Sequence, residues 1–245
     1  VIDALDHLTL CASFRAGAVG GYETLLGRGA EDGRLRLGNV GLTIEDSAST
    51  ARLTAMVFAT SSLEKAERLL ERRALPTERK AGRLMLSTPA THGVPIALAE
   101  VKDKVPPSPL KDSSEAASIT ALDHVVIRTP NPERAIALYA GRLGLDLRLD
   151  RTNPDWGSRL LFFRCADLVV EMAHDLKKGV SDAPDELWGL SWRTPDITRC
   201  NERLKKAGVE VSAPREGRRP GTQVFTAQSH TANVPTIVIG GLGRW

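Results

Sequence analysis

The tetrapeptide Ala-Leu-Asp-His occurs twice, at 4–7 and at 121–124, and each copy opens an alternating run, "ALDHLTLCA" and "ALDHVVIRT". The offset of 117 persists: Tyr22 maps onto Tyr139, Leu26 onto Leu143 and Gly27 onto Gly144. Coincidences at one fixed offset point to a duplicated structural unit. Its pattern reads as a strand, a helix and a glycine that ends the helix. "HVVIRT" alternates and is β-branched, while "NPERAIALYAGRLG" carries apolar residues at helical spacing behind an Asn-Pro start. Pro132 suits the first helical turn and Gly144 the position just past the last.

A second repeat lies inside each half. "AMVFATSSLEKAERLLERRAL" (55–75) matches "GLSWRTPDITRCNERLKKAGV" (189–209) at an offset of 134, again strand then amphipathic helix. Their ends rhyme as well, in "THGVPIALAE" (91–100) and "TANVPTIVIG" (231–240). The chain therefore reads as four strand–helix units, each followed by two or three strands, over about 3–47, 50–101, 119–175 and 186–241. "VKDKVPPSPLKDSSEAAS" between the halves is rich in Pro, Ser and charge and reads as a linker. The expected organisation is one domain over 1–101, a linker over 102–118 and a second domain over 119–245. One helix per three or four strands makes the class α+β, with helices covering one face of each sheet.

Composition narrows the function classes. The formal charge of +3 is small and basic residues mostly sit beside acids, so no nucleic-acid footprint is expected. The densest basic spot is the loop "PREGRRPG" (214–221). No apolar run approaches the roughly 18 residues of a membrane span, and no signal-peptide core opens the sequence. Cys11, Cys165 and Cys200 form no CxxC pair, which fits a reducing compartment. A cytoplasmic protein with a small-molecule partner is the expectation, and a homodimer is compatible with it.

Four βαβββ units paired into two domains, with "LDHVVI" opening one pair, resemble the vicinal oxygen chelate superfamily. That group holds glyoxalase I, extradiol dioxygenases, methylmalonyl-CoA epimerases, and fosfomycin and bleomycin resistance proteins. The resemblance is strongest over "LDHVVIRTPNPERAIALYAGRLGL…LLFFRCADLVVEMAHD" and implies sheets curled into a cup around a divalent metal (Fe, Mn, Ni or Zn). Each unit can give one ligand from its first strand and one from its last. In the third unit these are His124 and Glu171. The fourth unit departs from the pattern: Gly189 and Ile237 stand where its ligands would be, and two protein ligands are few for a tight metal site. In the first half His7 matches His124, but the remaining ligand positions hold Thr43, Ala55 and Ala97, so that half is expected to be structural. His174, His230 and Glu186 are the residues from which a displaced ligand would have to come.

Aromatic and polar residues near the presumptive cup are candidates for a binding wall. Trp188 and Trp192 flank Gly189, Trp156 lies in "NPDWGS", and Arg159, Arg193 and Gln223 are positioned to orient polar groups. A small residue at the former ligand position would then leave room for a planar ligand. Two functions follow. One is a lyase, isomerase or ring-cleaving dioxygenase with His124 and Glu171 as metal ligands, or with Glu171 as general base and His124 as its partner in a metal-free reaction. The other is a metal-free module that sequesters an aromatic or antibiotic-like molecule.

Overall fold

The computed structural model describes residues 2–101, 106–111 and 115–241. Four strand–helix units follow one another along the chain. The first holds β1 (Ala4–Ala12), α1 (Arg15–Leu26), β2 (Arg34–Arg36) and β3 (Gly41–Asp46). The second holds β4 (Arg52–Thr60), α2 (Leu63–Arg72), β5 (Thr77–Lys80), β6 (Arg83–Leu86) and β7 (Ile96–Glu100). The third holds β8 (Ala121–Arg128), α3 (Pro132–Ile136), β9 (Asp146–Asn153), β10 (Ser158–Cys165) and β11 (Leu168–Asp175). The fourth holds β12 (Glu186–Arg193), α4 (Ile197–Lys206), β13 (Arg215–Glu216), β14 (Gln223–Ala227) and β15 (Thr236–Gly240).

The class is α+β, as the pattern predicts, with one difference. The first unit has two strands after its helix, not three. Residues 28–33 make only isolated bridges, Arg28 to Leu110 and Glu31 to Arg34. Asp32 (φ 48°) and Gly33 (φ 72°) turn the chain there in the left-handed region, which breaks a strand. The strands form a seven-stranded sheet, β2-β3-β1-β4-β7-β6-β5, and an eight-stranded sheet, β13-β14-β15-β12-β8-β11-β10-β9.

Local chemistry explains where the helices start. Ser62, Asn131 and Asp196 each accept a hydrogen bond from the backbone N–H three residues on, at Lys65, Arg134 and Arg199, the N-cap arrangement that satisfies an orphan donor. Pro132 occupies the first turn of α3, and Gly144 (φ 79°) follows its end. Beyond Ile136 the helix widens into a π turn over Ala137–Arg142, which the spacing of apolar residues does not reveal. Apolar stripes bury one side of each helix: Leu63, Ala66 and Leu70 on α2, and Ile197, Cys200 and Leu204 on α4.

By contacts the chain divides into two compact units. One comprises Val1–Leu8, Thr54–Lys104 and Val125–Trp188; the other comprises Thr9–Leu53, Val105–His124 and Gly189–Trp245. Part of the expected linker, 102–105 and 112–114, lies outside the described residues. The intervening stretch is bonded to the first strand–helix unit: Gly29 N–H donates to Pro109 O, Lys111 N–H to Gly27 O, and Arg28 Nη1 to Ser108 O at 2.8 Å.

Candidate functional site

His124 lies on β8 with its side chain 17% exposed. Its Nδ1 is 2.8 Å from Oδ1 of the preceding Asp123. The other carboxylate oxygen of Asp123 accepts from Arg193 Nε on β12, at 2.9 Å. Burial pushes the Asp123 carboxyl up. The hydrogen bonds and charges of His124 and Arg193 outweigh it and hold the group below the ordinary carboxylate value. The earlier copy of the motif makes the same bond: His7 Nδ1 is 2.6 Å from Asp6 Oδ2. At the 134 offset, Ala59 stands where β12 has Arg193.

Gly189, also on β12, has no free space beside it. A Cβ there would meet the carbonyl oxygen of Pro235 at 2.9 Å. The space expected for a planar ligand is therefore filled by the chain's own backbone. Ile237, paired with Ser191 and Thr226, offers no donor. Ser191 is fully buried, and its hydroxyl has no hydrogen-bond partner among the described residues.

Strand periodicity separates the polar and aromatic candidates. On β12 the even positions Trp188 and Trp192 lie on the face opposite Gly189, Ser191 and Arg193. Trp192 has no exposed surface and pairs with Val238, itself paired with the buried Phe225. Two residues on from Val238, Gly240 packs against Ile197, where a Cβ would come within 2.9 Å of the Ile197 side chain. Trp192 thus belongs to the core under α4. Trp188 carries the guanidinium of Arg128 over its ring at 4.2 Å. Gln223 pairs with Gly240, whereas Arg193 pairs with Ile239, so the two side chains leave opposite faces. The tryptophans are committed to packing and stacking, and the wall expected from sequence is not assembled from them.

In the other compact unit, Glu171 lies half-buried on β11, opposite Phe162 of β10. Val170 and Met172 beside it point the other way and are buried. Arg159 is paired with His174, three residues from Glu171 and therefore on the opposite face. On that face Arg159 is held by Asp150 at 2.7 and 2.8 Å and by Glu133 at 2.7 Å. His174 is buried with Nδ1 3.0 Å from the carbonyl oxygen of Thr129. Trp156 is 43% exposed in the β9–β10 turn, with Arg151 stacked at 5.3 Å. Arg159 and His174 are thus engaged away from the face that carries Glu171.

Sequence reasoning missed the bond between Asp123 and Arg193. The aspartate was visible in both copies of "LDH", but its partner is 70 residues away. Among the described residues no three His, Cys, Asp or Glu side chains are grouped to hold a metal. With Gly189 closed by Pro235 and Ile237 aliphatic, the donors present do not fit a divalent centre of three protein ligands.

Residues 123–226 match the family model described as Glyoxalase/Bleomycin resistance protein/Dioxygenase superfamily. A curated relative, the ethylmalonyl-CoA/methylmalonyl-CoA epimerase of Cereibacter sphaeroides, is 29% identical over 100 residues, covering 38% of this chain and 75% of that protein. Among solved structures, the 2,3-dioxygenase LapB from Pseudomonas sp. KL28 superposes with a TM-score of 0.72 at 16% identity, over 100% of this chain and 93% of that one. The Mn(II)-bound glyoxalase from Novosphingobium aromaticivorans gives 0.70 at 14% identity, over 99% and 83%. At such identities the structures speak for the fold. Over residues 123–226 the chain is thus similar to the Glyoxalase/Bleomycin resistance protein/Dioxygenase superfamily.

Proposed function

We propose that the protein is a small-molecule enzyme of the isomerase or lyase kind, moving a proton at a carbon next to a carbonyl, with His124 as the general base and no tightly held metal. The observation that carries this reading is the setting of His124: an imidazole mostly withdrawn from water and hydrogen-bonded to a buried carboxylate. Imidazole is the side chain that most often serves as a general base, and this setting aims one at a reacting group. The metal-free choice is supported by the donor set, which is too small for a closed or open zinc-type centre. The relative named as an epimerase supports thioesters with an acidic α-carbon as first substrates to try.

The test is hydrogen exchange in deuterium oxide. Protein freed of metal with a chelator is incubated with ethylmalonyl-CoA, methylmalonyl-CoA and simpler 2-substituted thioesters, and deuterium uptake is read by mass spectrometry. Wild type is expected to exchange one α-proton, and His124→Gln to lose roughly 100-fold or more of the rate, the usual worth of a positioned base. Glu171→Gln is run beside it to learn whether that carboxylate is needed. Exchange that disappears on chelation and returns with iron, manganese, nickel or zinc would establish a metalloenzyme instead. Saturable binding with no exchange would establish a sequestering module.

A further inference from the structure

His124 could present either ring nitrogen to a substrate, and the structure chooses between them. Ionised Asp123 has only acceptor atoms. Its Oδ1 lies 2.8 Å from His124 Nδ1, so in the neutral ring the proton belongs on Nδ1 and the lone pair on Nε2. Successive strand residues point to opposite faces, so a hydrogen bond between neighbours on β8 is not a default of strand geometry. Arg193 Nε holds the second oxygen of the same carboxylate at 2.9 Å. The carboxylate side chain is 5% exposed, and Arg193 is 18% exposed. Two of its acceptor sites are thus used by two different partners, which leaves it little freedom to rotate.

We propose that Asp123, pinned by Arg193, is the positioning residue that fixes His124 in the Nδ1–H tautomer and so makes Nε2 its basic nitrogen. This rests on the reading of His124 as a base, and it specifies which atom receives the proton. The duplicated motif supplies an internal comparison. His7 and Asp6 repeat the bond at 2.6 Å, but Ala59 occupies the position matched to Arg193. The Asp123–Arg193 bond lies inside the family-matched segment.

The test reads the ring nitrogens directly. The full chain is labelled with ¹⁵N, and its histidine side chains are observed by NMR about two pH units above the ordinary imidazole pKa of ~6.5, with assignment by His124→Gln. In wild type, His124 is expected to show a protonated Nδ1 and an unprotonated Nε2. In Asp123→Ala the pattern should revert toward the Nε2–H form that an unrestrained imidazole favours, and in Arg193→Ala it should become a mixture. Arg193→Lys should restore part of the wild-type pattern. The His7 signals report whether each variant stays folded, and Asp6→Asn should leave His124 unaltered. A wild-type His124 protonated on Nε2, or an unaltered tautomer in Asp123→Ala with the His7 signals intact, would overturn the proposal. The measurement needs no substrate. Failure of the tautomer assignment and failure of the exchange reaction are therefore separately visible.

Discussion

A Cβ built on Gly189 would sit 2.9 Å from the carbonyl oxygen of Pro235, and that carbonyl already accepts the backbone N–H of Leu190. Glycine in a strand interior ordinarily costs about 0.5–1 kcal/mol relative to alanine, so a substitution there would normally stabilise. Here the neighbour is backbone, tied into the β12–β15 pairing, and cannot swing aside as a flexible side chain can. Overpacking of this kind costs about 1–3 kcal/mol and outweighs the entropic gain. Gly189→Ala is therefore expected to lower the urea midpoint with an unchanged slope. An alanine variant as stable as wild type would mean that Pro235 yields. The same geometry explains why a metal ligand cannot simply be restored at this position: every side chain begins with the carbon that does not fit.

At the scale of elements, helix ends carry much of the long-range order. The last carbonyls of a helix lack internal partners, and a cation there also meets the negative end of the dipole. Arg203 on α4 donates from Nη1 to Thr24 O and from Nη2 to Leu25 O, both at 2.8 Å, and from Nε to Ala117 O at 2.9 Å. Its guanidinium lies 3.4 Å from where Gly27 would carry a Cβ. At the corresponding glycine of the later copy, Gly144, Arg73 donates to Arg142 O at 2.8 Å. Arg203→Ala should cost roughly 1.5–3 kcal/mol, the range for hydrogen bonds to charged groups. Arg203→Lys should recover only part of it, because one ammonium cannot reproduce the planar fork. Thermal melts of the three proteins check the order.

The glycines, caps and apolar stripes were legible in the sequence because each is a local choice. The π turn after Ile136 was not, since its apolar residues keep helical spacing. Nor was the loss of a strand after α1, where Asp32 and Gly33 take left-handed angles. The Asp-His pair was legible because the motif repeats at a fixed offset. Nearness in sequence to Gly189 does not put Trp188 and Trp192 beside it, because a strand sends them to the other face. The Asp123–Arg193 bond depends on the pairing of distant strands, which no local pattern encodes.

The whole molecule poses the question of what folds alone. The sheets follow the two halves of the chain, with β1–β7 in one and β8–β15 in the other. The compact units do not, because each takes segments from both halves. In the unit containing α1, the buried Tyr22 hydroxyl donates to Thr231 O, and Asn39 bonds both the N–H and the carbonyl of Leu122. In the other, Asp185 N–H donates to His92 O at 2.7 Å, and Gly93 lies so close to Pro184 that a Cβ would not fit. Residues 2–101 and 119–241 expressed separately should each leave such groups exposed and unpaired. Buried polar groups without partners are costly, and apolar surface left open binds hydrophobic dyes. Each half alone is therefore expected to melt broadly and to bind such a dye. The two mixed in equal amounts should form a one-to-one complex with a single sharp transition and little dye binding. Calorimetry and size-exclusion chromatography read both outcomes. Sharp melting of either half at the temperature of the intact chain would show instead that the halves are independent domains joined by a linker, the organisation expected from the Pro- and Ser-rich stretch between them.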